Sequence, residues 1–151
     1  MALESLKVAI VGGSIGGLAA ATALHRLGAT VRVFEAQREP FDGRGGSLGF
    51  CDTSLWERLA GRHMMRYGER AHRGQGGYLY GDLWAFWRAS LPADAVVYNA
   101  SISDLGDDPL RPTIHGEAYD MAVSASARRV RAGTDRARAH QRGTHLTAAY
   151  R

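Results

Sequence analysis

Four consecutive apolar residues, Val8, Ala9, Ile10 and Val11, follow Lys7 and run straight into a pair of glycines. A short unbroken run of that kind predicts a strand over residues 7–11 that is buried on both faces. Residues 15–27 then carry Leu18, Ala19, Ala21, Ala23, Leu24 and Leu27, which predicts a helix with small residues for close packing. Gly28 stands where such a helix ends. Thr30, Val31, Val33 and Phe34 predict a second strand over 30–34, closed by Glu35. Strand, glycine turn, helix and strand in this order make a βαβ unit, whose crossover is almost always right-handed.

Further along, residues 40–49 form a glycine-rich loop, and a helix is predicted over about 53–66 with Thr53 or Ser54 as its cap. After a glycine cluster at 74–77, residues 82–91 predict a helix carrying Leu83, Trp84, Phe86, Trp87 and Leu91, stopped by Pro92. Those aromatic residues, with Trp56, read as core or buried interface. A strand is predicted over 95–102, and segments 111–115 and 118–123 are expected to pair as a hairpin around Gly116 and Glu117. There is no internal repeat. Beyond Val123 the pattern dissolves into Ala, Arg, Gly, Thr and His, so residues 124–151 are expected to be a basic, irregular and solvated tail. The predicted fold is α/β, a parallel Rossmann-like sheet with an added β-hairpin, occupying residues 1–123.

Composition narrows the functional classes. The 151 residues, 45% of them hydrophobic, suit one core and one domain. Cys51 is the single cysteine, which excludes an internal disulfide and fits a reducing cytoplasm. Glycines at 12, 13, 16 and 17 interrupt the apolar start, so neither a signal peptide nor a membrane span is expected there. The net charge of +4 divides unevenly: residues 1–121 hold 12 Lys and Arg against 14 Asp and Glu, and residues 122–151 hold 7 Arg against Asp135 alone. The basicity therefore belongs to the tail. Arg128, Arg129, Arg131, Arg136, Arg138 and Arg142 come with no recognition helix or stacking platform, so no specific nucleic-acid partner is expected. The six histidines show no metal-ligand spacing, and no metal site is expected.

The chemistry-bearing pattern spans residues 7–35. Gly12, Ser14 and Gly17 hold the three positions of a dinucleotide fingerprint between strand and helix, and Glu35 stands 23 positions after Gly12. Gly12 permits the tight turn, a small residue at 14 lets backbone N–H groups approach a pyrophosphate, and Gly17 lets the helix sit close to the strand. The helix N-terminus supplies unpaired N–H donors and a positive dipole end. Glu35 is placed to accept hydrogen bonds from both hydroxyls of an adenosine ribose, and its charge disfavours the 2′-phosphate of NADP. The candidate cofactor-binding residues are thus Gly12, Gly13, Ser14, Ile15, Gly16, Gly17, Glu35 and Ala36. Gly12 to Gly16 and Gly45 to Gly49 also fit the Gly-x-Ser-x-Gly nucleophile elbow, but eleven residues before the first cannot supply the strands and oxyanion loop that a hydrolase places there.

The run Val11-Gly12-Gly13-Ser14-Ile15-Gly16-Gly17-Leu18, the pair Phe34-Glu35 and the loop Gly43-Arg44-Gly45-Gly46-Ser47-Leu48-Gly49 together resemble the FAD-dependent aromatic hydroxylases, a family of flavoprotein monooxygenases. Within it the chain is most similar to the dihydroxypyridine hydroxylase branch. The resemblance covers about residues 5–123. It implies FAD as cofactor, NAD(P)H as electron donor, oxygen as oxidant and a small aromatic ring as substrate, with no side-chain nucleophile required. It further implies that Arg44, Gly45 and Gly46 run along the flavin's pyrophosphate, that 82–92 is the helix beside the cofactor, and that Tyr80 falls where the branch often has tryptophan.

The resemblance has a limit. The family carries an Asp-Gly pair just after the strand matching 119–123, and this chain has Ser126-Ala127 there. The later Gly-Asp motif and the substrate-binding sheet have no counterpart in these 151 residues. Loss of the pair coincides with the onset of the Arg- and Ala-rich tail, which predicts a single cause: a shifted reading frame near residue 123 of a GC-rich gene, and a truncated product.

Overall fold

A computed structural model of the chain describes residues 5–38, 46–49, 52–64, 78–108, 110–126, 130 and 147–149. In chain order the elements are β1 (Lys7–Val11), α1 (Ile15–Arg26), β2 (Thr30–Phe34), β3 (Ser47–Leu48), α2 (Ser54–Ala60), β4 (Tyr78–Leu79), α3 (Tyr80–Arg88), β5 (Val96–Val97), β6 (Thr113–Ile114), β7 (Glu117–Ala118), β8 (Met121–Ser124) and β9 (Thr147–Ala149). The main sheet has the order β5-β2-β1-β8-β9. Its first four strands are parallel, with Lys7 opposite Thr30, Val33 opposite Val96 and Val8 opposite Met121. β9 closes the far edge antiparallel to β8. The expected α/β class and Rossmann-like parallel sheet are what the chain forms.

Strand β1 lies at the centre because its side chains suit burial on both sides. Val8, Ala9 and Ile10 are fully buried, and each fully buried aliphatic side chain of Val or Ile size contributes about 1.5–3 kcal/mol. Successive residues point to opposite faces. Val8 and Ile10, with Val31, Val33 and Val123, face a layer built from Leu18 and Ala21 of α1 and Trp84, Phe86 and Trp87 of α3. Ala9 and Val11, with Phe34 and Ala122, face a second cluster made of Ala100, Leu105, Ile114 and Tyr119. The sheet thus carries helices on one face and a loop-and-hairpin layer on the other. Among the described residues no helix is long and apolar enough to cross a membrane.

The elements depart from expectation where tertiary contacts override local pattern. α2 stops at Ala60 instead of near 66, because Gly61 turns left-handed and Glu57 gathers the chain beyond it. Its carbonyl accepts from the Gly61 and Arg62 amides, and its carboxylate accepts from the Met64 amide. α3 starts at Tyr80 and ends at Arg88, earlier at both ends than the predicted 82–91. The Arg88 guanidinium donates to the carbonyls of Pro92 and Ala93 at 3.2 and 2.8 Å, holding the turn that precedes β5. The strand expected over 95–102 shrinks to two residues because Asn99 takes a positive φ of 56° and redirects the chain.

The expected hairpin exists but is displaced. Its turn is His115-Gly116, both with positive φ (51° and 80°), the pairing found in tight two-residue hairpins. Only Thr113–Ile114 and Glu117–Ala118 pair in it. The predicted second arm continues as Met121–Ser124 into the main sheet beside β1. An apolar stretch with both faces buried belongs in a sheet centre, and Asp120 N donating to the Lys7 carbonyl (2.9 Å) starts that ladder. The hairpin is tied back through Glu117, which accepts from the Lys7 ammonium and the Tyr119 hydroxyl, each at 2.6 Å. These donors hold the Glu117 carboxyl below the usual carboxylate range. Burial first, then Glu117, pushes the Tyr119 hydroxyl up. Within the stretch expected to be irregular, Thr147–Ala149 pairs with β8, a backbone interaction that needs no side-chain pattern.

Close approach of α1 to β1 makes one glycine indispensable and leaves its neighbour free. A Cβ at Gly17 would run into the carbonyl oxygen of Gly12, whereas one at Gly16 would meet nothing within 4 Å. In urea denaturation, Gly17→Ala is expected to lose about 1–3 kcal/mol through forced overpacking against backbone. Gly16→Ala is expected to gain about 0.4–1 kcal/mol by removing unfolded-state freedom. Equal behaviour of the two variants would contradict this packing.

Candidate functional site

The chain passes from β1 to β2 and β5 on one side, then returns to place β8 on the other side of β1. The strand order therefore reverses between β1 and β8, and ligands of open parallel sheets bind beyond the carboxyl ends at such a point. Gly12 to Ser14 occupy that position, between the end of β1 and the start of α1.

The successive peptide groups of this loop are each held from outside. Gly12 N donates to the Phe34 carbonyl at 2.8 Å. Gly13 N donates to Glu35 Oε2 at 2.6 Å. The Gly13 carbonyl accepts from the indole Nε1 of Trp84 at 2.8 Å. The Ser14 carbonyl accepts from Leu18 N at 2.9 Å, the first hydrogen bond of α1. On the β8 side, Ala125 N donates to the Val11 carbonyl at 2.8 Å. Gly12 has φ 109°, and a Cβ there would stand 3.0 Å from the Ala125 carbonyl and the Ser126 amide nitrogen. The segment after β8 thus forms a wall against the loop.

Glu35, at the end of β2, is 7% exposed. Its Oε2 accepts from Gly13 N and its Oε1 from Gln37 N at 2.7 Å. An ionised carboxylate has about four lone-pair positions, so two acceptor positions remain beyond these two bonds. At the head of α1, Ser14 is the N-cap, its side chain makes no capping hydrogen bond, and the first turn holds no acidic residue. The first-turn amides of a helix have no intrahelical acceptor, and they carry the positive end of its dipole. Ser14 and Ile15 are half-buried and Gly16 is exposed, so this donor group is within reach of a ligand.

Of the predicted cofactor-binding residues, the structure brings Gly12, Gly13, Ser14, Ile15, Gly16, Gly17 and Glu35 together around one turn, with Ala36 exposed immediately beyond Glu35. The N–H groups of Gly12 and Gly13 are both donated within the fold, to the Phe34 carbonyl and the Glu35 carboxylate. Gly46 is exposed, and its carbonyl accepts from Tyr80 N at 3.0 Å. Arg44, Gly45 and Cys51 lie outside the described residues. Trp84 and the Ala125-Ser126 wall escaped the sequence reading. Trp84 is buried in the core as expected, and the signal for its second role is general: a buried indole N–H needs an acceptor.

The sequence profile of the NAD(P)-binding Rossmann-like domain family matches residues 10–89. No curated protein sequence matches the chain. Solved structures with the same fold include tetracycline destructase Tet(51), at TM-score 0.62 and 17% identity, covering 80% of this chain and 38% of that one. The 2,6-dihydroxypyridine-3-hydroxylase from Arthrobacter nicotinovorans superposes at TM-score 0.58 and 20% identity, covering 78% and 36%. CtdE in complex with FAD superposes at 0.59 and 15% identity, covering 79% and 37%. The chain spans less than two fifths of the length of each of these structures.

The doubly occupied carboxylate makes Glu35 a structural residue as well as a candidate ligand. In Glu35→Gln, the amide group must face one of two N–H donors, Gly13 or Gln37. That conflict is expected to cost about 1–3 kcal/mol, the range for an unsatisfied buried polar group. Thermal unfolding should shift down by several degrees, and an unchanged midpoint would contradict the two hydrogen bonds.

Proposed function

The chain belongs to the NAD(P)-binding Rossmann-like domain family, and we propose that within it the fold holds the adenosine diphosphate part of FAD, as the nucleotide-binding unit of a flavin-dependent aromatic monooxygenase. The observation that carries this reading is the Gly13–Glu35 hydrogen bond, which sets a carboxylate with spare acceptor positions beside an uncapped helix N-terminus. The residues fit the group. The amides of Ser14, Ile15 and Gly16 take pyrophosphate oxygens, and the dipole of α1 favours their charge. The remaining lone pairs of Glu35 take the two ribose hydroxyls, with Ala36 at the rim. A 2′-phosphate would meet that carboxylate, so FAD, ADP and NAD(H) are accepted in preference to NADP(H). The family resemblance assigns Arg44, Gly45 and Gly46 to the same pyrophosphate.

FAD, when bound, supplies the redox chemistry: it takes electrons from NAD(P)H and activates oxygen for transfer to an electron-rich ring. The protein's part is to bind, orient and exclude water. Two neighbouring structures support the choice of cofactor and reaction, since one is an FAD complex and another is named a dihydroxypyridine hydroxylase. In this reading residues 1–123 form the nucleotide-binding unit and 124–151 a basic appendage. The isolated chain binds FAD weakly and does not hydroxylate, because the residues assigned here hold nucleotide only.

The visible spectrum of FAD at equilibrium with increasing amounts of the purified chain tests the reading. A saturable change in the flavin absorption that ADP reverses and NADP does not is expected. The absence of any saturable response to FAD or ADP would overturn it. Consumption of NADH stimulated by a hydroxylated pyridine would overturn the claim that the isolated chain is inactive.

A further inference from the structure

We infer that Trp84 is a positioning residue for the nucleotide loop: its indole N–H fixes the Gly13–Ser14 peptide so that the Ser14 amide faces outward. The inference rests on the reading of the loop as a phosphate site and adds to it a residue 71 positions away in the chain.

The geometry is that of one planar peptide. In a trans peptide the carbonyl of one residue and the N–H of the next point in opposite directions. Nε1 of Trp84 holds the Gly13 carbonyl at 2.8 Å on the α3 side. The Ser14 N–H, in the same plane, is therefore directed away from α3. Glu35 fixes the preceding peptide in the same manner by accepting from Gly13 N. Between them the two side chains remove rotational freedom that glycine at 12 and 13 would otherwise keep, since glycine reaches both halves of φ space at little cost.

Trp84 is well suited to the task. It is 4% exposed, packed in the same cluster as Leu18, Val33 and Trp87, and its rigid ring cannot swing away without opening the core. An N–H in that setting is costly to leave without an acceptor, so the bond persists in the ligand-free chain. A loop already held in its binding form avoids the ordering cost that a mobile loop incurs on binding.

The test uses the full chain, with ADP as the probe. Trp84→Phe keeps an aromatic ring and removes the donor; Trp87→Phe removes similar bulk from the same helix and the same cluster and serves as the packing control. Amide hydrogen exchange of Gly13, whose N–H is held by Glu35, in the ligand-free variants, and ADP dissociation constants by calorimetry, are the two readouts. Trp84→Phe is expected to speed exchange at this amide and to weaken ADP binding about tenfold, the size of one buried hydrogen bond. Trp87→Phe is expected to lower the unfolding midpoint and leave the ADP constant within about twofold. Equal weakening by both variants would reduce Trp84 to a packing role, and unchanged exchange or unchanged affinity in Trp84→Phe would overturn the inference outright. If the unsubstituted chain binds no ADP, the phosphate-site reading itself fails and the inference falls with it, an outcome distinct from the variants' behaviour.

Discussion

One hydrogen bond, from the Gly13 amide to the buried carboxylate of Glu35, joins the ends of β1 and β2, and the rest of the site is arranged around it. It needs the two strands in register, which the parallel pairing of Val11 with Phe34 provides. It also needs Gly13 without a side chain, since a Cβ there would stand 3.0 Å from Cβ of Glu35. A buried carboxylate without partners would be strongly unfavourable, and the Gly13 and Gln37 amides are what make its position tolerable. Fold and site therefore share the same bond.

That bond sits where the sheet's two faces meet different layers. The helix face brings α3 close enough for Trp84 to reach the Gly13 carbonyl, and the packing of Thr22 on α1 near the Trp87 carbonyl shows how closely these helices approach. On the other side, the strand after the hairpin enters beside β1 and delivers Ala125 and Ser126 against Gly12. The glycine loop is thus enclosed by three segments distant in sequence: the end of β2, the first turns of α3 and the end of β8.

What the sequence disclosed follows from this distinction. β1, α1 and β2 were legible because their determinants are local: an unbroken apolar run, a small-residue helix, and glycines at fixed distances from an acidic residue. The resemblance to flavoprotein hydroxylases rested on the same short span and on the glycine-rich run Gly43 to Gly49 that follows it. β8 was misplaced because Met121, Ala122 and Val123 fit a hairpin arm as well as a central strand, and only the distant partner β1 decides between them. The shortening of the strand after α3 hinged on the backbone of Asn99, a residue type that tolerates positive φ without announcing it. Trp84 was placed correctly in the core, yet its bond to Gly13 crosses from one element to another and leaves no periodic trace. Thr147–Ala149 pairs through backbone groups, which composition does not report.

The arrangement also explains why Glu35 alone is a poor probe of binding. Its carboxylate accepts one hydrogen bond on each oxygen within the ligand-free fold, so removing it disturbs stability along with the binding role proposed for it. Gly17 is compromised in the same way, because its contact with the Gly12 carbonyl sets the distance between helix and strand. Ser14 is different. Its side chain makes no capping bond, so its hydroxyl is not needed for the helix start. A fingerprint with serine in the second glycine position is accommodated because the loop's course is set by its neighbours: Glu35 holds the peptide before Gly13, and Trp84 holds the one after it. With both fixed, position 14 needs only a small residue whose amide faces outward, and its backbone is already extended, with φ −71° and ψ 175°, a conformation open to any residue.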